Sequence, residues 1–218
     1  MPETIKERPI LMSGAMVRAI LNGTKTQTRR VVDFLKPSAD EEYARHVERH
    51  QGKSCKYGTT GDRLWVRETW NRAERTGYDA APQDGRSGFD ESDPDAYNFG
   101  PCWFRATDER LVEGPWRPSI FMPRAASRLT LEVVSVRVER LQDISEEDAI
   151  AEGIERIGAE HDGLYESPKW RDYTAEGCYL DPRESYESLW EKINGAGSWE
   201  SNPWVWVVEF KKLEAFHA

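Results

Sequence analysis

Ile20-Leu21-Asn22-Gly23-Thr24-Lys25-Thr26-Gln27-Thr28-Arg29-Arg30 is the stretch from which the chain is best read. The apolar run Met16 to Leu21 leads into Asn22-Gly23, a pair that tolerates the left-handed backbone of a helix C-terminus, so a helix stops there. The segment that follows is rich in Thr, Gln and Val and predicts a strand, roughly Thr26 to Val32. Lys25 therefore stands at the mouth of a strand, just after a glycine turn, and Arg29 and Arg30 follow closely. A strand carrying Lys25, Thr28, Arg29 and Arg30 is too polar for a two-sided core, so one face is expected to meet solvent or a polar ligand. Positions 25 and 28 differ in parity, which on a regular strand sends them to opposite faces. Either Lys25 lies in the turn before the strand, or the strand is bulged.

On the N-terminal side, Arg8 to Met12 predicts a short strand and Ser13-Gly14 opens the helix to Leu21. On the C-terminal side, Pro37 to Gln51 is charged and helical in pattern, and Gly58 to Gly61 is a turn. In Gly61-Asp62-Arg63-Leu64-Trp65-Val66-Arg67-Glu68-Thr69-Trp70, Leu64 and Val66 alternate with Arg63, Trp65 and Arg67, the period of a half-buried strand. Residues 71–100 are rich in Gly, Asp, Ser and Pro and read as a long loop. Cys102 to Thr107 is strand-like. The prolines of Trp116 to Arg124 forbid a central strand there and make it an ordered crossing loop. Ser127 to Leu141 is the clearest β run. Its apolar parity changes at Val133-Val134, which suggests a bulge or a sharp bend. Ser145 caps a helix that runs to Glu152, with Asp148 in the capping-box position and Gly153 as the stop. Residues 155–180 read as a second insertion. Pro182 to Ile193 is an amphipathic helix, and Trp204 to Phe210 is the closing strand.

With 218 residues, 38% hydrophobic and 32% charged, the chain suits one domain, residues 1–218, elaborated by insertions at about 72–100 and 155–180. A net charge of -9 argues against broad binding to a phosphate backbone but leaves room for a small basic pocket. Cys55, Cys102 and Cys178 form no disulfide framework, so a reducing cytoplasm is the expected location. No membrane span and no signal-peptide core is apparent. His46 and His50 would share a helix face with Cys55 close behind, but the spacing matches no defined zinc motif and a solvated face is the preferred reading. No metal or cofactor is expected.

Gly23-x-Lys25-x-x-Thr28-x-Arg30 resembles the signature of the ASCH domain family, a branch of the PUA-like β-barrels associated with RNA. Four further stretches look similar to that family: Gly61 to Trp70, Pro123-Arg124-x-x-Ser127-Arg128, the helix Ile144 to Ile154, and the closing strand. The resemblance implies an α+β fold, a mostly antiparallel PUA-like barrel with flanking helices, and points to a phage or prophage-type member. One branch of the family hydrolyses the acetyl-amide on the exocyclic nitrogen of N(4)-acetylcytidine. For that branch the resemblance implies a lysine, threonine and glutamate triad, matching Lys25, Thr28 and Glu152.

The chemistry is self-consistent. Amide hydrolysis needs a nucleophile, a base to take its proton and donors for the oxyanion. A lysine serves as base when desolvation or neighbouring cations lower its pKa, and Arg29 and Arg30 would supply such neighbours. Glu152 would orient the lysine or pass a proton to the leaving amine. Thr28 reads equally as a nucleophile or as a β-former with an inward hydroxyl. Trp65 and Trp70 read as packing or as a stacking wall for a base. Together with Arg29, Arg30, Arg63, Arg67 and Arg124 they make up the expected substrate-binding set. The expected partner is a modified nucleoside or single-stranded RNA. A non-catalytic RNA-binding module and a ribonuclease are the competing readings.

Overall fold

The computed structural model describes residues 5–33, 42, 55–72, 102–108, 115–161 and 166–213. The helical reading over 37–51, Glu42 apart, and the loop reading over 73–100 lie outside the described residues, as do His46 and His50. Strand β1 (Glu7–Leu11) is followed by helix α1 (Gly14–Leu21) and strands β2 (Gln27–Val31), β3 (Arg63–Arg67), β4 (Trp70–Arg72) and β5 (Cys102–Phe104). Strand β6 (Thr130–Arg140), helix α2 (Glu146–Ala151), strands β7 (Arg156–His161), β8 (Glu166–Arg171) and β9 (Cys178–Tyr179), helix α3 (Pro182–Asn194) and strand β10 (Trp204–Lys212) complete the order. The fold is mixed α+β and rich in sheet. No helix among the described residues is long and apolar enough to cross a membrane.

Backbone contacts divide the chain into two compact units, one of Met1–Arg18, Lys56–Val133 and Lys211–Ala218, the other of Ala19–Cys55 and Val134–Phe210. The first holds the order β1-β3-β6 and the pair β4-β5. The second holds β6-β10-β2 and the three-stranded sheet β7-β8-β9. Neither order closes on itself, so among the described residues these are open ladders where the resemblance implied a closed barrel.

In the first unit, β1 and β3 run parallel, Pro9 opposite Trp65, and β3 pairs antiparallel with β6, Leu64 opposite Leu131. Leu64, Val66, Leu131 and Val133 are buried while Arg63, Trp65 and Arg67 are half-buried, as the alternation predicts. Asp62 stitches the preceding turn, accepting from the N–H groups of Lys6 at 3.0 Å and Thr59 at 3.1 Å. Trp70 packs with Cys102, Phe104, Met122 and Ala126 in a separate apolar cluster.

The parity change at Val133-Val134 falls at the boundary between the units. The run remains one continuous strand, whose strict burial alternation stops after Val134. Residues 156–179, read from sequence as an irregular insertion, instead form a hairpin and a short third strand, with Arg156 paired to Trp170 and Trp170 to Tyr179. Among the described side chains of these strands only Trp170 is buried, so there is no apolar period to detect. Trp170 anchors the sheet to a core of Leu141, Ile144, Ala149, Ile154, Tyr186, Trp190, Val205 and Val207.

Candidate functional site

Lys25 is positioned by the helix stop before it. The Gly23 N–H donates to Ile20 O at 3.1 Å and the Thr24 N–H to Ala19 O at 2.9 Å, the paired closure of a Schellman turn with Gly23 at φ 78°. Lys25 then forms an isolated antiparallel bridge with Glu152, and β2 begins only at Gln27. Lys25 thus lies in the turn before the strand, the first of the two arrangements its parity allowed.

Parity sorts the rest. Gln27 and Arg29 share the Lys25 face and reach α2 or its cap, whereas Thr28 and Arg30 take the opposite face. Strand β10 pairs antiparallel with β2, placing Val208 opposite Thr28 and Trp206 opposite Arg30. Of the strand expected to meet solvent or a polar ligand, Gln27, Thr28 and Arg29 are buried and Arg30 and Val31 half-buried; carboxylates rather than water satisfy the charge of Arg29.

Helix α2 brings the partner. Ser145 Oγ accepts from the Asp148 N–H at 3.1 Å, the expected N-cap. The Asp148 carboxylate does not return the bond as in a full capping box; it accepts from Arg29 Nη2 and Arg137 Nη2, each at 2.6 Å. Glu152 is the C-cap, followed by Gly153 at φ 80°. A Cβ on Gly153 would lie 2.7 Å from Lys25 Cβ and 2.9 Å from Ala19 Cβ, so this glycine lets the helix end close over the lysine.

Lys25 Nζ donates to Glu152 Oε2 at 2.9 Å and to the Glu152 carbonyl at 2.7 Å. Glu152 Oε1 accepts from Arg29 Nη1 at 3.2 Å. Arg29 also donates to Glu139 Oε1, from Nε at 3.1 Å and from Nη2 at 2.5 Å. Arg137 grips Glu139 Oε2 at 3.0 Å and Glu209 Oε1 as well. Gln27 Nε2 donates to Asp148 O at 2.8 Å, and the Arg29 guanidinium carbon stands 6.0 Å from the Tyr186 ring centroid.

Burial pushes the Lys25 ammonium below its ordinary pKa. The Glu152 charge opposes the shift, and Arg30 and Arg29 reinforce it. Burial also disfavours charge on Arg29, but Glu152 and Glu139 outweigh it and the guanidinium stays firmly protonated. Asp148 is held below the usual carboxylate range by Arg29 and Arg137, against its partial burial. Desolvation keeps the Tyr186 hydroxyl protonated well above its ordinary range.

Lys25 and Glu152 therefore meet, 127 positions apart. Thr28 is close in sequence but makes no hydrogen bond to either. Its side chain is fully buried, and Oγ1 has no partner. Arg30, half-buried, stays in the second unit on the Thr28 face of β2, while Arg63, Trp65, Arg67, Trp70 and Arg124 belong to the first unit. Arg63 and Arg124 lie 3.7 and 2.9 Å from Glu7. Arg67 donates to Met122 O at 2.9 Å and stacks 5.2 Å from the Trp65 ring centroid. Trp70 is 1% exposed and belongs to a core, the packing reading of that residue. Sequence reasoning did not single out Arg137, Glu139, Glu209 and Tyr186. Arg137 and Glu139 carry the only available signal, two opposite charges at matching parity on a β run. Cys55 is buried, and no cluster of metal-ligating side chains occurs among the described residues.

No family model matches the chain, and neither a curated protein nor a solved structure matches it.

Proposed function

We propose that this chain is an ASCH-like, PUA-related protein whose second unit hydrolyses the amide of an N-acylated cytosine, with N(4)-acetylcytidine as the model substrate. The observation that carries this reading is Lys25: a buried lysine whose pKa is pushed below the ordinary lysine range, hydrogen-bonded to a glutamate, gives up its proton more readily than a surface lysine and is placed to act as a general base. In this chemistry the neutral amine takes the proton of an attacking hydroxyl, from Thr28 or from a water. The new C–O bond forms as the C–N bond to the exocyclic nitrogen breaks, and Glu152 relays the proton to the departing amine. With a water the products are the free cytosine and acetate. With Thr28 the acetyl ester formed on its oxygen is then hydrolysed by water. The unpartnered Thr28 hydroxyl suits either nucleophile or substrate contact, because a buried hydroxyl without a bond costs about 1–3 kcal/mol. Thr28 takes the face of β2 opposite Lys25 and bonds to neither Lys25 nor Glu152, so the water route is the one in which Lys25 acts directly.

A second reading is a binding module for a nucleoside or single-stranded RNA. It is favoured by the saturation of Glu152, both of whose oxygens are engaged, as in a network built only to hold shape. The deciding experiment follows release of free cytidine from N(4)-acetylcytidine by the wild type and by Lys25→Met. The expected result is turnover by the wild type and a loss of about 100-fold or more in the variant. Absence of turnover by folded wild type, with retained affinity for a short RNA, overturns the hydrolase in favour of the binder.

A further inference from the structure

Glu152 has two carboxylate oxygens and two cations compete for them. Lys25 Nζ sits 2.9 Å from Oε2 and Arg29 Nη1 sits 3.2 Å from Oε1. Both cationic side chains are fully buried, and Glu152 is 4% exposed. Water therefore adds little to the charge balance, and each contact carries more energy than it would at a surface. Arg29 cannot turn away from Glu152. Its Nε and Nη2 are fixed on Glu139 and its Nη2 also on Asp148, and Arg137 holds Glu139 through its other oxygen, Oε2, and Asp148 through the same Oδ2.

We propose that Arg29 is a positioning residue, not a substrate ligand: by holding one oxygen of Glu152 it keeps that carboxylate from fully neutralising the Lys25 ammonium. The charged and titratable groups around the pair are consistent with this. Strand β2 supplies Arg29 and Arg30, α2 and its cap supply Asp148 and Glu152, and β6 supplies Arg137 and Glu139. Strand β10 supplies Glu209, and α3 supplies Tyr186, which stays neutral. Asp148, Glu139 and Glu209 are committed to the two arginines, which leaves Glu152 as the carboxylate in contact with Lys25. A lysine that shares its counter-charge with a permanent cation gives up its proton more readily. The lowered pKa of Lys25, to which Arg29 contributes in that direction, agrees.

The catalytic meaning of this arrangement rests on the amide-hydrolysis reading, while its meaning for the proton on Lys25 does not. The test titrates Lys25 directly, using lysine labelled at Cε and Nζ and NMR, with Lys25→Met identifying the signal. In Arg29→Met, Glu152 is released to Lys25, and the lysine pKa is expected to rise by about one unit or more. Arg29→Lys retains a charge and most of the volume but has no planar fork to span Glu139, Asp148 and Glu152 together. It is expected to give a smaller rise and decides the question if the Met variant fails to fold. Where hydrolysis is measurable, the acid limb of its pH profile moves upward with the lysine. A folded variant whose Lys25 pKa stays put or falls overturns the proposal, whatever the activity. A Lys25 pKa that rises in a protein without turnover leaves the proposal standing and removes the hydrolase reading.

Discussion

Gly153 shows how narrowly the residue scale is set. Its positive φ of 80° strains any side chain, and the two nearest atoms to an added Cβ are themselves Cβ atoms, on Lys25 and Ala19. Neither can rotate away as a flexible tip would. Gly153→Ala therefore combines left-handed strain of about 1–2 kcal/mol with overpacking of about 1–3 kcal/mol. A loss of at least about 2 kcal/mol in urea unfolding is expected. A folded, unchanged Gly153→Ala protein would show that the helix end does not close on Lys25 as described. Thr28 is the opposite case, a residue whose position raises a demand without meeting it. Its buried hydroxyl lacks any protein partner, and such groups in native proteins are usually satisfied by water or ligand.

At the scale of the element, α2 is a six-residue helix, too short to persist on propensity alone. Three devices hold it: the Ser145 cap, the burial of Ala149, and the arginine grip on Asp148. The cap is the separable one. Ser145→Ala removes the bond to the Asp148 N–H and is expected to cost about 1 kcal/mol, read as a shift in the denaturation midpoint. Because Asp148 is independently clamped by Arg29 and Arg137, the Lys25–Glu152 pair should survive, so the Lys25 pKa should stay that of the wild type. A changed Lys25 pKa in folded Ser145→Ala would mean that the cap, not the arginine network, positions Glu152. Strand β2 teaches a related lesson. Its polarity suggested a wet face, yet its arginine is buried because β6 and α2 deliver carboxylates to it.

For the whole molecule, the buried lysine makes stability depend on pH. Lys25 titrates below 10.5 in the folded state, so over the interval between its lowered value and 10.5 the unfolded chain binds the extra proton. Stability from this site therefore rises with pH through that interval, by up to about 1.4 kcal/mol per pH unit. Cys102 works in the other direction. Burial raises its thiol to about 11 from 9.0, so the unfolded chain ionises first and stability falls as pH climbs above 9. Comparing wild type with Lys25→Met cancels the Cys102 contribution. Urea midpoints between pH 7 and 10 should rise more, or fall less, in the wild type than in the variant. Parallel curves would show that Lys25 keeps an ordinary pKa.

Local order was legible because its causes are local. The stop at Asn22-Gly23, the alternation of Arg63 to Arg67, the Ser145 cap, the Gly153 stop and the closing strand each rest on a few neighbouring residues, and each appears within a residue or two of its expected place, β10 alone continuing to Lys212. The resemblance singled out Lys25 and Glu152, and the motif turn and the capped helix do bring them together. The β7-β8-β9 sheet was not legible, since among its described side chains only Trp170 is buried and no apolar period results. Nor was the burial of Arg29. Which carboxylates meet an arginine depends on strand order and on where a helix docks, and Glu139, Asp148 and Glu152 lie 110 to 123 positions away from it. Charged side chains carry no mark of their partner, so the sequence determined the locally signalled elements and the residue types at the site, while tertiary packing decided the β7-β8-β9 sheet, which charges would be buried together and what proton each would hold.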